Sequence, residues 1–285
     1  MDPSSLSLIT LPQLSKNSLL VASLLISIVI LIVFVYVVRS RSSRKRNLVL
    51  LVGDEGAGKT SIQSTILYEH TLPTHTSFQV NSSLITLGPK KQLQIVDIPG
   101  HARLRGQFKP FVSDAKAIVF VVDASTISRN GRQVAECLHE VLHAIVSLPP
   151  SRSLPPLLIL AHKADLLASG ASQDRESLAI SRVRTVLERE LEKRRAAATS
   201  GVGIEGLGSS SSGFTSNEGD DESLGMSGLD CTSGSNGAFK FSHWEGGEVE
   251  FAATWVEIDS KVKELEKYES DSTGLDSLKS FLESL

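Results

Sequence analysis

The chain has 285 residues, with 29 Lys and Arg against 32 Asp and Glu and a formal net charge of −3. This balance excludes a broad basic surface, so direct nucleic-acid binding is not expected. The two cysteines form no C-x-x-C pair and have no His cluster nearby, so no metal site built from Cys and His is predicted. Without an apolar N-terminal segment and a Gly/Ser-rich segment, about 200 residues remain, which predicts a single folded domain.

A strongly apolar segment, residues 19–38, lies near the N-terminus. Residues 1–18 form a short polar tail, and residues 19–38 contain no charged side chain. As a helix, residues 19–38 would be about 30 Å long, the thickness of a bilayer core. A cleaved signal peptide and a buried helix are the alternatives, but a signal peptide usually has a shorter apolar region behind a basic start. We therefore predict an uncleaved transmembrane helix over residues 19–38.

Basic residues follow this segment. A linker over residues 39–46 carries Arg39, Arg41, Arg44, Lys45 and Arg46, whereas Lys16 alone precedes the segment. The positive-inside rule therefore predicts a single-pass protein with residues 1–18 in the lumen and residues 47–285 in the cytosol. Cytosolic nucleotides would then be accessible to the large C-terminal part.

A phosphate-binding motif follows the first predicted strand. Residues 47–52 form an apolar run typical of a buried strand, and a helix is expected from about residue 60 to residue 70. The segment between them fits G-x-x-x-x-G-K-[ST] at every fixed position and reads Gly53-Asp54-Glu55-Gly56-Ala57-Gly58-Lys59-Thr60, with Ser61 next. The glycines let backbone N–H groups converge on a phosphate, Lys59 can reach the β and γ oxygens, and the Thr60 hydroxyl is placed for Mg²⁺.

The rest of the chain alternates predicted strands and helices. A hairpin is expected over residues 82–87 and 92–96 and strands over 117–122 and 157–161, and the strand pattern resumes at 239–241 and 249–251. Helices are expected over 131–148, 172–198 and 275–285. This order predicts an α/β fold of the P-loop type, a mostly parallel sheet with helices on both faces. Residues 199–237 are rich in Gly and Ser and contain no Lys or Arg, which predicts a disordered insertion.

A second motif, Asp97-Ile98-Pro99-Gly100, fits D-x-x-G at the end of the predicted strand 92–96. Open α/β sheets bind ligands at the carboxyl ends of their strands. We expect Asp97 to hold Mg²⁺, usually through water, and the Gly100 N–H to contact a γ-phosphate.

A third motif, His162-Lys163-Ala164-Asp165, resembles the guanine-recognition motif [NT]-K-x-D of GTPases, with His162 in place of the usual Asn. The Asp165 carboxylate can accept hydrogen bonds from the ring N–H and the exocyclic amine of guanine, which adenine does not offer. The stem of Lys163 is expected to lie over the base plane. In the last base-contacting loop, where GTPases carry S-A-K, the residues are Ala253-Thr254-Trp255-Val256, and the backbone N–H groups of Trp255 and Val256 are expected to contact the nucleotide.

Together, the apolar anchor, these motifs and the segment Asp97-Ile98-Pro99-Gly100-His101 resemble the signal recognition particle receptor β-subunit family, which is related to the Arf and Sar GTPases. The resemblance covers about residues 19–165 and implies GTP and Mg²⁺ as ligands. It also implies that Thr76 is the switch threonine that closes on Mg²⁺, with Thr74 as the alternative. His101 would then hold the position of a water-orienting residue. Intrinsic hydrolysis is expected to be slow because no arginine finger is evident in cis.

The resemblance also implies a biological role. The GTP-bound protein would dock the receptor α subunit at the endoplasmic reticulum membrane and so act indirectly on ribosomes and the signal recognition particle. Arg103 and Arg105 are expected on a surface that meets a partner. Two alternatives stay open: a coat-type GTPase whose hydrolysis drives vesicle assembly, and a nucleotide-locked scaffold that only tethers.

Overall fold

The structure is a computed structural model that describes residues 24–36, 47–87, 91–167, 172–201, 229, 238–256 and 274–285, with side chains of the long helix described from 174 to 197. The chain divides into two compact units, Met1–Arg46 and Asn47–Leu285. The predicted polar tail 1–18 and the basic linker 39–46 lie outside the described residues.

In the first unit, residues 24–36 are helical, and each of them is exposed. The ends of the predicted transmembrane helix, residues 19–23 and 37–38, lie outside the described residues. Across the part of the chain that the structure describes, no helix combines the length and the apolar character needed to cross a membrane.

The second unit contains a six-stranded sheet in the described residues, with the order β2-β3-β1-β4-β5-β6. The strands are β1 (Leu48–Gly53), β2 (Asn81–Leu87), β3 (Lys91–Asp97), β4 (Ala115–Asp123), β5 (Leu157–His162) and β6 (Val249–Ala253). The edge strand β2 pairs antiparallel with β3, which confirms the predicted hairpin, and every other pairing is parallel.

Helices cover both faces of the sheet, as the sequence pattern predicts. They are α1 (Lys59–Tyr68), α2 (Lys109–Val112), α3 (Ile127–Val146), α4 (Ser172–Gly201) and α5 (Asp276–Ser284). Alternate residues of the central strands face opposite sides, so Leu50 packs with the residues of α3 and α4, whereas Leu51 packs with those of α1 and α5. The continuous apolar runs of β1 and β5 are explained by this burial on both faces.

Two predicted boundaries are wrong. Helix α4 continues to Gly201, so the predicted disordered insertion begins inside a helix; apart from Leu229, residues 202–237 lie outside the described residues. The apolar pattern at residues 239–241 leads into a short 3₁₀ helix, Phe241–His243, instead of a strand. The backbone N–H groups of Phe239 and Phe241 donate to the carboxylates of Glu192 and Glu188 on α4, and these bonds replace strand pairing.

Candidate functional site

The site residues predicted from separate motifs meet at one edge of the sheet. Because β1, β3, β4, β5 and β6 run parallel, their carboxyl ends lie at the same edge. The residues at or just beyond these ends are the loop from Gly53, then Asp97, Asp123, His162 and Thr254. The described residues therefore bring a phosphate-binding motif, two carboxylates, an imidazole and a hydroxyl together.

The phosphate-binding loop has the backbone shape that its glycines predict. Gly53, Gly56 and Gly58 have φ angles of 152°, 71° and 97°, and α1 begins directly after Gly58. Positive φ at these positions, followed by a helix N-terminus, directs backbone N–H groups toward one point. Such an arrangement is suited to an anion.

Lys59 is buried within this loop. Its Nζ donates to the carbonyl oxygens of Gly53 at 2.9 Å and Asp54 at 2.8 Å. Burial lowers the pKa of Lys59, while the nearby carboxylate of Asp97 opposes that change. A buried ammonium that is held mainly by carbonyls provides positive charge for a ligand's oxygens.

A candidate cation position lies between β3 and α1. The Thr60 hydroxyl donates to Asp97 Oδ2 at 2.6 Å, and Ser77 Oγ lies 3.0 Å from Thr60 Oγ1. Because the Thr60 proton is directed at Asp97, Ser77 must be the donor in its contact with Thr60. Burial raises the pKa of Asp97, and its second oxygen, Oδ1, is buried with no hydrogen-bond partner among the described residues.

These residues fit Mg²⁺. An orphaned carboxylate oxygen beside two hydroxyls offers the oxygen ligands that Mg²⁺ prefers, together with water and phosphate. Within the described residues, no group of three or more His, Cys, Asp or Glu side chains is placed to hold a metal. A cation here would therefore depend on the phosphates of a ligand for part of its coordination.

Residues 74–77 line a cavity of about 260 Å³ together with Glu55, Lys59, Thr60, Ser61 and Gly100. The predicted switch residue Thr76 donates to Glu55 Oε1 at 3.3 Å, and the alternative Thr74 lies 2.9 Å from Ser61 Oγ. Ser77, which was not among the predicted site residues, is the residue in contact with Thr60. The assignment of Thr76 to Mg²⁺ stays a prediction.

Gly100 lies directly against the phosphate-binding loop. A Cβ added to Gly100 would lie 2.6 Å from both Asp54 C and Glu55 N, so a larger residue would force the two loops apart. His101 follows it, and its Nδ1 accepts a hydrogen bond from the Arg103 backbone N–H at 3.3 Å. The cavity's described lining includes Gly100 but not His101, and the water-orienting role of His101 stays a prediction.

The expectation for Arg105 is wrong. Arg103 is exposed, but Arg105 is buried and donates to Glu136 at 2.8 Å and to Glu140, both on α3. Helix α3 also contributes Gln133, whose Nε2 donates to Asp54 Oδ1 at 3.0 Å. Helix α3 thus contacts both the phosphate-binding loop and the segment after Gly100.

On the other side of the loop, Lys163 joins three segments. Its Nζ donates to Gly56 O at 2.8 Å and to Asp123 Oδ2 at 2.6 Å. Burial alone would raise the pKa of Asp123, but the hydrogen bonds from Lys163 and Ser125 hold it below its usual value. Asp123 was not selected from the sequence, although its place at the end of a buried apolar run was a usable signal.

His162 is buried at the end of β5, and its Nδ1 lies 3.0 Å from Thr254 Oγ1. A Cβ on Gly58 would lie 2.5 Å from His162 Cδ2, so the imidazole packs directly over the phosphate-binding loop. Burial, assisted by the Lys163 ammonium, lowers the pKa of His162 to about 4. The imidazole is therefore neutral near pH 7 and joins the phosphate-binding loop to the loop after β6.

The next turn, Ala164–Leu166, presents Asp165 to solvent. A small pocket of about 110 Å³ is lined by Ala164, Asp165, Arg175 and Trp255. The sequence predicts that the Trp255 backbone N–H contacts the nucleotide, but in the structure it donates to Gly274 O at 3.1 Å. Val256, beside Trp255 in the final loop, packs with the apolar residues of the α1 and α5 face. Consecutive residues line the two spaces: Lys163 lines the larger cavity and Ala164 lines this pocket.

The fold and the order of the loops define a class. A phosphate-binding loop after β1, an antiparallel edge hairpin, and motifs at the ends of β3 and β5 are the features of a P-loop α/β protein with the small-GTPase fold. The family model described as "Signal recognition particle receptor beta subunit" matches residues 44–247. The chain belongs to this family, which confirms the resemblance found in the sequence.

Curated relatives agree. Over 159 residues the chain is 34% identical to the signal recognition particle receptor subunit beta of Rattus norvegicus, and that alignment covers 55% of this chain and 58% of the relative. The Homo sapiens protein of the same name is 35% identical over 159 residues, covering 55% and 57%. The chain thus spans less than three fifths of the length of these relatives.

Solved structures resemble the fold. "The Structure of the Mammalian SRP Receptor" superposes with a TM-score of 0.57 at 24% identity, covering 83% of this chain and 98% of that one. The structure titled "Signal recognition particle receptor SRb-GDP-Mg", from Chaetomium thermophilum, gives 0.55 at 22% identity, covering 83% and 96%. At these identities the similarity establishes the fold.

Proposed function

We propose that this protein is a GTP-dependent switch that binds GTP with Mg²⁺ at the carboxyl edge of its sheet. The observation that carries the proposal is the buried Asp97 with an orphaned oxygen, hydrogen-bonded through its other oxygen to Thr60, which lines the cavity together with Lys59. A buried carboxylate oxygen with no hydrogen bond beside a phosphate-binding loop is costly unless a cation and its phosphates complete the site.

In this proposal different residues bind the phosphates, the cation and the base of the nucleotide. The loop 53–60 binds the phosphates through backbone N–H groups, and Lys59 adds charge. Thr60 and Asp97 hold Mg²⁺, which when bound neutralises phosphate charge, and Thr76 or Ser77 contributes from the cavity wall. Asp165 selects guanine through its carboxylate, and Lys163 lies between the phosphates and the base.

We extend the proposal to a partner and a location. The structure titled "Signal recognition particle receptor SRb-GTP/SRX complex", from Chaetomium thermophilum, superposes with a TM-score of 0.51 at 20% identity. Together with membership of the family, this supports docking of the receptor α subunit at the endoplasmic reticulum membrane, with GTP as the condition for docking. Ribosomes and the signal recognition particle would be reached through that partner.

Residues 19–38 are the proposed membrane anchor, supported by their uncharged, mostly apolar sequence and the basic residues that follow. Deleting residues 1–40 should release the protein from membranes, while the full chain should resist carbonate extraction. Carbonate-resistant membrane association of the deleted form would contradict this assignment. The anchor also separates the proposal from a coat-type GTPase, since such a protein must leave the membrane after hydrolysis.

The decisive experiment is to purify the full chain in mild detergent and identify any co-purified nucleotide by mass spectrometry after denaturation. We expect GDP or GTP. Adenine nucleotides in place of guanine nucleotides would overturn the proposal. If no nucleotide co-purifies, added GTP with Mg²⁺ should bind measurably by calorimetry, and failure there would also overturn it.

A further inference from the structure

The small pocket beside Asp165 contains an aromatic side chain that the base-recognition motif does not provide. Its lining is Ala164, Asp165, Arg175 and Trp255. Lys163 lines the phosphate cavity and the next residue, Ala164, lines this pocket, so neighbouring residues of one turn face the two spaces. A carboxylate such as Asp165 binds guanine in the plane of the ring, which leaves the two ring faces for other contacts.

We propose that the Trp255 indole is the wall on which the guanine ring packs, so that Trp255 contributes to base affinity through its side chain. This inference rests on the proposed function and adds to it. Aromatic side chains bind bases well because every base has a π-face. The S-A-K pattern of GTPases at this loop contains no aromatic residue, so the contact would be a property of this chain.

Trp255 is held in place before any ligand arrives. Its backbone N–H donates to Gly274 O at 3.1 Å, and its side chain is partly buried against the apolar residues of the α3 and α4 face. Gly274 has a φ of 61°, and a Cβ there would lie 2.8 Å from both Cε2 and Nε1 of the indole. Because residue 274 is glycine, the indole can pack directly against the backbone there. An aromatic side chain that is already held in place loses little conformational entropy when a ligand binds.

The residue before Trp255 is fixed as well. The Thr254 backbone N–H donates to Ala161 O at 2.9 Å, and its hydroxyl contacts His162. The loop carrying Trp255 is therefore tied to β5, the strand that leads to Asp165. This connection sets the distance between the carboxylate and the indole.

The chain has two tryptophans, which permits a direct test. Trp244 is buried at 5% exposure in the core, so it serves as the matched control. We would titrate the full chain in detergent with GDP and Mg²⁺, and with ADP as the control nucleotide, while recording tryptophan fluorescence. The same titrations would be made on Trp255→Phe, Trp255→Ala and Trp244→Phe, with calorimetry as an independent measure of affinity and circular dichroism as a check on folding.

GDP should quench the fluorescence of the wild type and of Trp244→Phe, but not of Trp255→Phe. Calorimetry should give GDP affinity weakened about tenfold in Trp255→Ala and kept within about threefold in Trp255→Phe, where an aromatic ring remains. Unchanged affinity in folded Trp255→Ala, or quenching that disappears only in Trp244→Phe, would overturn this inference alone. If the wild type binds no guanine nucleotide, the proposed function fails together with it.

Discussion

The phosphate side and the base side of the site are built in different ways. The phosphate side is largely one continuous segment, residues 53–61, whose shape follows from three glycines and a helix start. The base side is assembled from Asp165, Trp255 and Gly274, which are far apart in the chain and meet only in the fold. The proposed phosphate contacts through backbone N–H groups can therefore be predicted from a local motif. The proposed contact of the base with Trp255 depends on tertiary packing.

The two sides also differ in charge. On the phosphate side, Lys59 and Asp97 are both buried, and burial shifts the pKa of each toward its neutral form. His162, between the two sides, is buried in its neutral form, and Asp165 on the base side is exposed. Ligand charge should thus matter most at the phosphate end, and base identity should depend on a single carboxylate.

The largest effect is expected on the phosphate side. Lys59→Ala removes a buried ammonium and should weaken GTP binding on the order of a thousandfold, since charge-assisted bonds to phosphate are lost. Calorimetry with GTP and Mg²⁺ measures this loss, and Lys240→Ala, at an exposed lysine before β6, is the control. Docking of the α subunit should fall in parallel. Docking that survives without nucleotide would favour a scaffold that only tethers.

The next effect tests the base side. Asp165→Asn should weaken GTP binding about a hundredfold and improve xanthosine triphosphate binding. The amide oxygen can still accept from the ring N–H, but the amide NH₂ faces the exocyclic amine of guanine and can donate to the carbonyl that xanthine has there. Competition binding with the two nucleotides measures the change in preference. Asp174→Asn, at an exposed carboxylate at the start of α4, should change neither affinity. GTP affinity equal to wild type in Asp165→Asn would show that the base is bound elsewhere.

The third prediction concerns the pH dependence of stability and tests His162, which contacts both the phosphate-binding loop and the loop after β6. The pKa of His162 is about 4 in the folded protein against 6.5 ordinarily, so the unfolded state binds the extra proton as pH falls below about 6.5. The free energy of unfolding is therefore undiminished at pH 7 and falls toward pH 4, by about 2 kcal/mol at pH 5.

Urea unfolding at pH 7 and pH 5 measures this loss. His162→Asn, which restores the usual residue of the motif, should remove that part of the pH dependence while retaining GTP binding. His243→Asn, at an exposed histidine, should keep it. An unchanged pH dependence in His162→Asn would contradict the buried neutral state.

The smallest effect concerns the long-range contact on the phosphate side. Burial raises the pKa of Asp54, and Gln133 on α3 supplies a hydrogen bond to its carboxylate. Gln133→Ala should lower the free energy of unfolding by about 1 kcal/mol because Asp54 loses a donor. Gln107→Ala, at an exposed glutamine, is the control in the same denaturation measurement. Equal stability of the two variants would mean that Asp54 is satisfied without α3.

Much of the fold could be predicted from the sequence because apolar runs and helical spacing are local properties. The order of strands and helices, the hairpin β2–β3 and the terminal helix α5 all follow from such patterns. The conformation of the segment at Phe239 could not be predicted, because glutamates on α4 accept hydrogen bonds from backbone N–H groups that a strand pattern assigns to a sheet.

By itself, the sequence determined the phosphate-binding loop, the guanine-type motif and the family resemblance, since each is a short run of residues with its own chemistry. Only the tertiary structure decided that Ser77 contacts Thr60, that Asp123 binds Lys163, and that Gln133 reaches Asp54. The physical reason is distance along the chain. These contacts join side chains on different elements, and the parallel sheet brings them to one edge only after folding.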